Sequence, residues 1–99
     1  MRLSQPEIQA IRDVTRELVG EDADVRLFGS RTDDSSFGGD VDLLIECRDD
    51  IARPAWLAAL ISARLSRYME GRRVDVILSA PNLKDLEIHA VARKCGVLL

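Results

Sequence analysis

Two short apolar runs flank a stretch of helical periodicity, and that arrangement limits the fold more than any other feature. The runs are Asp40-Val41-Asp42-Leu43-Leu44-Ile45-Glu46-Cys47 and Arg73-Val74-Asp75-Val76-Ile77-Leu78-Ser79. Between them, from Pro54 to Met69, the residues Leu57, Leu60, Ile61, Arg64, Leu65 and Tyr68 trace one face of a helix. Pro54 stands where a first turn tolerates it, and Gly71 ends the pattern. Strands joined through a helix have the long crossover that parallel neighbours need. In the first run Val41, Leu43, Ile45 and Cys47 share an apolar face, with Cys47 as a small hydrophobe; Asp40, Asp42, Leu44 and Glu46 point the other way.

The rest of the chain extends this unit. Ser4 followed by Glu7 is a capping box, Pro6 suits a first turn, and Leu3 and Ile8 are placed for a hydrophobic staple. Ile8, Ile11, Thr15 and Leu18 then recur at helical spacing, predicting a helix over 5–19 that Gly20 stops. Val25 to Gly29 reads as a strand, and the polar stretch Ser30 to Gly39 as a loop whose return makes the first two strands antiparallel. After the break at Pro81-Asn82, a helix is expected from about Leu83 to Cys95, with Arg93 and Lys94 suiting the negative end of its dipole. Gly96 closes that helix, and Val97-Leu98-Leu99 is short enough for a terminal strand. The predicted class is α/β in the α+β sense: one domain over 1–99, a small mixed sheet with helices packed on it.

Composition excludes several functions. Apolar residues are 46% and charged residues 31% of 99, the balance of a globular chain. No stretch approaches the run of about 20 apolar residues that a spanning helix needs. The start, Met1-Arg2-Leu3-Ser4-Gln5-Pro6-Glu7, does not read as a signal peptide. Cys47 and Cys95 have neither zinc-site spacing nor disulfide-scaffold density, so a reducing cytoplasm is the expected compartment. With 14 basic and 17 acidic residues, the net charge of −3 argues against stable nucleic-acid binding.

Three aspartates carry the chemistry. Asp40 and Asp42, two apart on a strand, point the same way, and Asp75 lies near the start of the third strand. Parallel pairing of those strands would gather all three carboxylates at one end of the sheet. Like charges so close repel unless a cation lies between them. An all-oxygen set suits Mg²⁺, one ion or two, with substrate phosphate completing the shell. The first strand ends at Gly29-Ser30; the glycine allows close backbone approach to a phosphate, and Ser30 supplies a hydroxyl and an N–H.

Leu27-Phe28-Gly29-Ser30-Arg31, Gly39-Asp40-Val41-Asp42-Leu43-Leu44-Ile45 and Arg73-Val74-Asp75-Val76-Ile77 together resemble the minimal nucleotidyltransferases of the DNA polymerase beta-like superfamily. The resemblance covers essentially the whole chain. It implies that Asp40 and Asp42 are metal ligands, Asp75 the third carboxylate, and Gly29 and Ser30 triphosphate anchors. One departure is the loop: many members carry an Arg-Gly pair after Gly-Ser-Arg, where this chain has Asp33-Asp34 and Phe37-Gly38-Gly39.

The implied reaction is attack of an acceptor hydroxyl on the α-phosphorus of a nucleoside triphosphate, with release of pyrophosphate. Asp75 is then the group on the nucleophile side and a candidate general base, and Arg31 a donor to the β- or γ-phosphate. Larger relatives carry a further domain for the second substrate, so the acceptor surface is expected from another molecule. The resemblance implies AMP transfer from ATP to a tyrosine of a HEPN-type ribonuclease toxin, with this chain as antitoxin. Two alternatives are a small-molecule transferase of the aminoglycoside type, its pocket completed by a second subunit of a homo-oligomer, and a non-catalytic toxin-binding protein. His89 is expected to be a surface or packing residue, Trp56 and Tyr68 to meet the core or a partner, and Glu46 to lie too far along its strand to bind the metal directly.

Overall fold

The computed structural model describes residues 3–29 and 40–99. The order is α1 (Gln5–Leu18), β1 (Asp24–Phe28), β2 (Val41–Glu46), α2 (Pro54–Tyr68), β3 (Val74–Ser79), α3 (Glu87–Cys95) and β4 (Val97–Leu98). The four strands form one mixed sheet in the order β3-β2-β1-β4. β1 is antiparallel to β2 and to β4, while β2 and β3 are parallel. The α+β class, the parallel crossover and the antiparallel return all agree with the sequence reading.

Local chemistry accounts for the element ends. The α1 capping box is formed: Glu7 N–H donates to Ser4 Oγ at 3.2 Å, and Ser4 N–H to Glu7 Oε1 at 2.8 Å. At the other end of the chain, Gly96 carries the turn from α3 into β4. A side chain there would run into the Ala92 carbonyl and crowd the Leu27 carbonyl, so only glycine lets β4 reach the edge of β1. α3 starts at Glu87, four residues later than the spacing suggested. A turn in which Leu83 N–H donates to Ala80 O at 3.1 Å intervenes, and Asn82 is committed to Ile51 through bonds of 2.9 and 2.8 Å.

The main core lies between the sheet and the helix pair α1–α2. Ile11, Val25, Val41, Leu43, Ile45, Ile61, Leu65, Val74 and Leu78 fill it. The predicted apolar face of β2 is therefore correct at Val41, Leu43 and Ile45. Leu44, expected on the polar face with Asp40, Asp42 and Glu46, is instead fully buried. α3 covers that second face of the sheet and closes Leu44 under Phe28, Ala92 and Ile77. A strand covered on both sides takes apolar residues on both. Trp56 and Tyr68 lie outside the core, both more than half exposed, with the Arg53 guanidinium 5.2 Å from the Trp56 ring centre.

His89 is one of the residues that seat α3. Its Nδ1 accepts the Leu86 N–H at 2.9 Å, so Nε2 carries the proton and donates to Leu78 O at 3.0 Å. Both ring nitrogens are used in packing, and the residue is buried. Among the described residues, no helix is long and apolar enough to cross a membrane.

Candidate functional site

The second face of the sheet is divided into three zones along the strands. Leu44 and Ile77 under Ala92 form an apolar middle, which Phe28 extends beside Asp42. At one end, Glu46 takes Arg26 Nε at 2.9 Å and Arg93 Nε at 3.0 Å, while Arg93 also reaches Ser79 Oγ at 3.0 Å and both Asp85 oxygens at 2.8 and 3.0 Å. At the other end stand carboxylates. The expectation that Glu46 stays clear of them holds, because it is at the far end of β2 in its own ion-pair cluster.

Backbone pairing creates the carboxylate end. In the β2–β3 register Asp42 is the partner of Asp75, and in the β1–β2 register it is the partner of Phe28. Val41 N–H donates to Arg73 O at 2.9 Å, and the Ser62 hydroxyl of α2 donates to Val74 O, fixing where β3 begins. Parallel register partners lie on one face of adjacent strands about 4.8 Å apart. Asp40 is exposed and immediately precedes β2.

The electrostatics follow from that crowding. Burial raises the Asp42 pKa above its ordinary value of 3.8, and the neighbouring charges of Asp75 and Asp40 and a hydrogen bond with Asp75 raise it further. Arg73 works in the opposite direction on Asp42 and donates from Nε to Asp75 Oδ1 at 3.1 Å. Its own guanidinium is held charged first by Asp75, then by Asp40 and Asp42. The sequence reading gave Arg73 no role. The signal was present: Arg73 and Asp75 are two apart on a strand, so their side chains share a face.

Gly29 closes the site from β1. Its φ of +142° is a conformation that side-chain-bearing residues rarely adopt, and a Cβ placed there would be 2.7 Å from Asp42 Oδ2. The glycine therefore lets the backbone pass beside the carboxylate. Ser30 and Arg31, the other expected phosphate contacts, lie outside the described residues.

Asp42 and Asp75 are thus brought together beside Gly29, while Asp40 acts on Asp42 through its charge. Among the described residues, no group of three or more His, Cys, Asp and Glu side chains is disposed to hold a metal ion. Arg73 engages Asp75, and Asp40 lies just outside the strand pairing that joins the other two. The donor chemistry nevertheless fits a hard cation: oxygen ligands only, with a mutual repulsion that a divalent ion would relieve.

A hollow of about 390 Å³ lies at the other end of β2, between the α1–β1 turn and the β2–α2 connection. Leu18, Ala23, Cys47, Ile51 and Trp56 line it, and none of the three aspartates does. Size alone favours that hollow as a binding site. The crowded carboxylates mark the opposite end as the place where charge chemistry is concentrated. Comparison with protein-family profiles and with curated protein sequences finds no match to this chain.

Proposed function

We propose that this chain is a metal-dependent nucleotidyltransferase of the minimal, polymerase beta-like kind. It moves AMP from ATP onto a hydroxyl of a partner protein, a tyrosine of a HEPN-type toxin, and thereby acts as antitoxin. The observation that carries the reading is the Asp42–Asp75 pairing across parallel strands with Gly29 against Asp42. The acceptor is inferred from the sequence resemblance.

In this reading Asp40, Asp42 and Asp75 are the residues that would hold Mg²⁺. The bound ion supplies charge neutralisation at the transferring phosphoryl group and alignment of nucleophile and leaving oxygen. Asp42 would serve as a ligand only as the carboxylate, and its raised pKa would make occupancy fall off toward acid pH. Arg73 must share or release Asp75 when a cation arrives, which frees a guanidinium for phosphate oxygens. Gly29, Ser30 and Arg31 receive the triphosphate. Asp75 then accepts the tyrosine hydroxyl proton as the phenolic oxygen bonds to the α-phosphorus, and the bond to the β-phosphate oxygen breaks to release pyrophosphate.

The test is incubation with Mg²⁺, ATP labelled at the α-phosphate, and the protein encoded by the neighbouring gene. Label on a tyrosine of that protein is expected. Label appearing only on an added aminoglycoside would favour the small-molecule reading. A tight stoichiometric complex without label would favour the non-catalytic binder.

A further inference from the structure

α3 buries His89 and Ala92 against the sheet but leaves a second apolar stripe uncovered. Ile88, Val91 and Cys95 recur at i, i+3 and i+7, which places them on one side of the helix. Ile88 is 41% exposed, Val91 47%, and Cys95 is exposed as well. Beside this stripe run Glu87 and Lys94, one helical repeat apart and both exposed. Neither enters a salt bridge among the described residues.

We infer that this side of α3 docks against α3 of a second copy of the chain, antiparallel and two-fold symmetric about Val91. The argument is self-complementarity, which an isologous interface requires. Glu87 lies four residues before Val91 and Lys94 three after it. Reversing one helix over the other about Val91 sets Glu87 beside Lys94 of the second copy, and the symmetry repeats the pair. The same operation sets Ile88 against Cys95 of the second copy and Val91 against its own equivalent. Antiparallel helices also oppose their dipoles favourably. A parallel two-fold arrangement would carry the two Glu87–Lys94 flanks to opposite sides of the seam so that neither charge met its opposite, and a partner without a basic group opposite Glu87 and an acidic one opposite Lys94 would leave both unanswered.

The contact is small. A nine-residue helix is about 13.5 Å long, and its side covers less than the roughly 800 Å² per partner of a standard interface. The dimer is therefore weak and in rapid exchange. It is independent of the nucleotidyl-transfer reading, since α3 contributes none of the three aspartates.

Disulfide trapping reads the register directly. In a Cys47→Ala background, Ile88→Cys is placed opposite Cys95 of the second copy. The two cysteines of one helix are too far apart to join within a chain. Mild oxidation should give a covalent dimer much faster than the Cys47→Ala protein or Ala90→Cys in the same background. Glu87→Lys and Lys94→Glu should each slow trapping roughly two- to fivefold, and the double exchange should restore it. Equal trapping by Ala90→Cys, or none by Ile88→Cys, would overturn the proposal. So would sedimentation of the unmodified protein as a pure monomer at about 1 mM, the weak end of specific association.

Discussion

Asp42 and Asp75 are register partners on two parallel strands; burial and the Asp75 charge raise the cost of ionising Asp42, while Arg73 holds Asp75 from the side. Two negative groups at adjacent strand positions make a poor device for stability. They make a good one for gripping a divalent cation.

Replacing Asp42 by Asn should raise thermal stability in metal-free buffer. The raised pKa means that the ionised carboxylate opposes folding above that pKa, and the amide removes the charge. The gain should shrink as pH falls toward 3.8, where the carboxylate protonates in folded and unfolded chains alike. Mg²⁺ should stabilise the natural protein and leave the variant unchanged, and nucleotidyl transfer should be lost. Melting curves with and without Mg²⁺, over a pH series, check all three.

Gly29→Ala should destabilise by about 1–3 kcal/mol, the range for forcing a side-chain-bearing residue into such a backbone conformation. The new methyl group must also push the Asp42 carboxylate aside. Mg²⁺-dependent stabilisation should therefore fall by more than a fold-wide effect would explain. Urea denaturation in the presence and absence of Mg²⁺ separates the two contributions.

The pairing of β1 with β2 and of β2 with β3, their directions and the α1 cap were legible in the sequence because periodicity and crossover length report them directly, whereas the place of β4 beside β1 was not. So was the proximity of Asp42 to Asp75, since parallel pairing of the Val41 and Val74 runs brings it about. Leu44 was misplaced for a physical reason: β2 is covered on both faces, and alternation is informative only where one face meets solvent. The clamp of Arg93 on Glu46 and Asp85 was not legible, because it joins residues from three separate segments whose approach depends on how α3 lies. Arg73 was legible in principle, two positions before Asp75, but a lone arginine among scattered ones carries no such mark.

Leu44→Ala should cost about 2–5 kcal/mol, the range for emptying a fully buried leucine site. An exposed polar-face position would give a negligible change. Chemical denaturation distinguishes the outcomes and tests whether α3 closes the second face.

Glu46 predicts the acid limb of stability. Burial pushes its pKa up, but hydrogen bonds and charge from Arg26 and Arg93 outweigh that and bring it below the ordinary 4.5. A lowered carboxylate pKa stabilises the fold above 4.5, and the contribution disappears as pH falls through the folded-state value. Glu46→Gln should therefore destabilise at neutral pH and flatten the loss of stability below about pH 4.5. Stability measured from pH 3 to 7 in both proteins reads the difference.

The central claim is that a divalent cation binds where β1, β2 and β3 bring Gly29, Asp42 and Asp75 together. Titrating Mn²⁺ into isotopically labelled protein and following paramagnetic broadening of backbone amides tests it most directly. Broadening centred on Gly29, Asp42 and Asp75, and abolished by Asp42→Asn, is the expected result. Broadening centred on Glu21, Asp22, Asp49 and Asp50 around the hollow at the opposite end, with those three amides untouched, would contradict it.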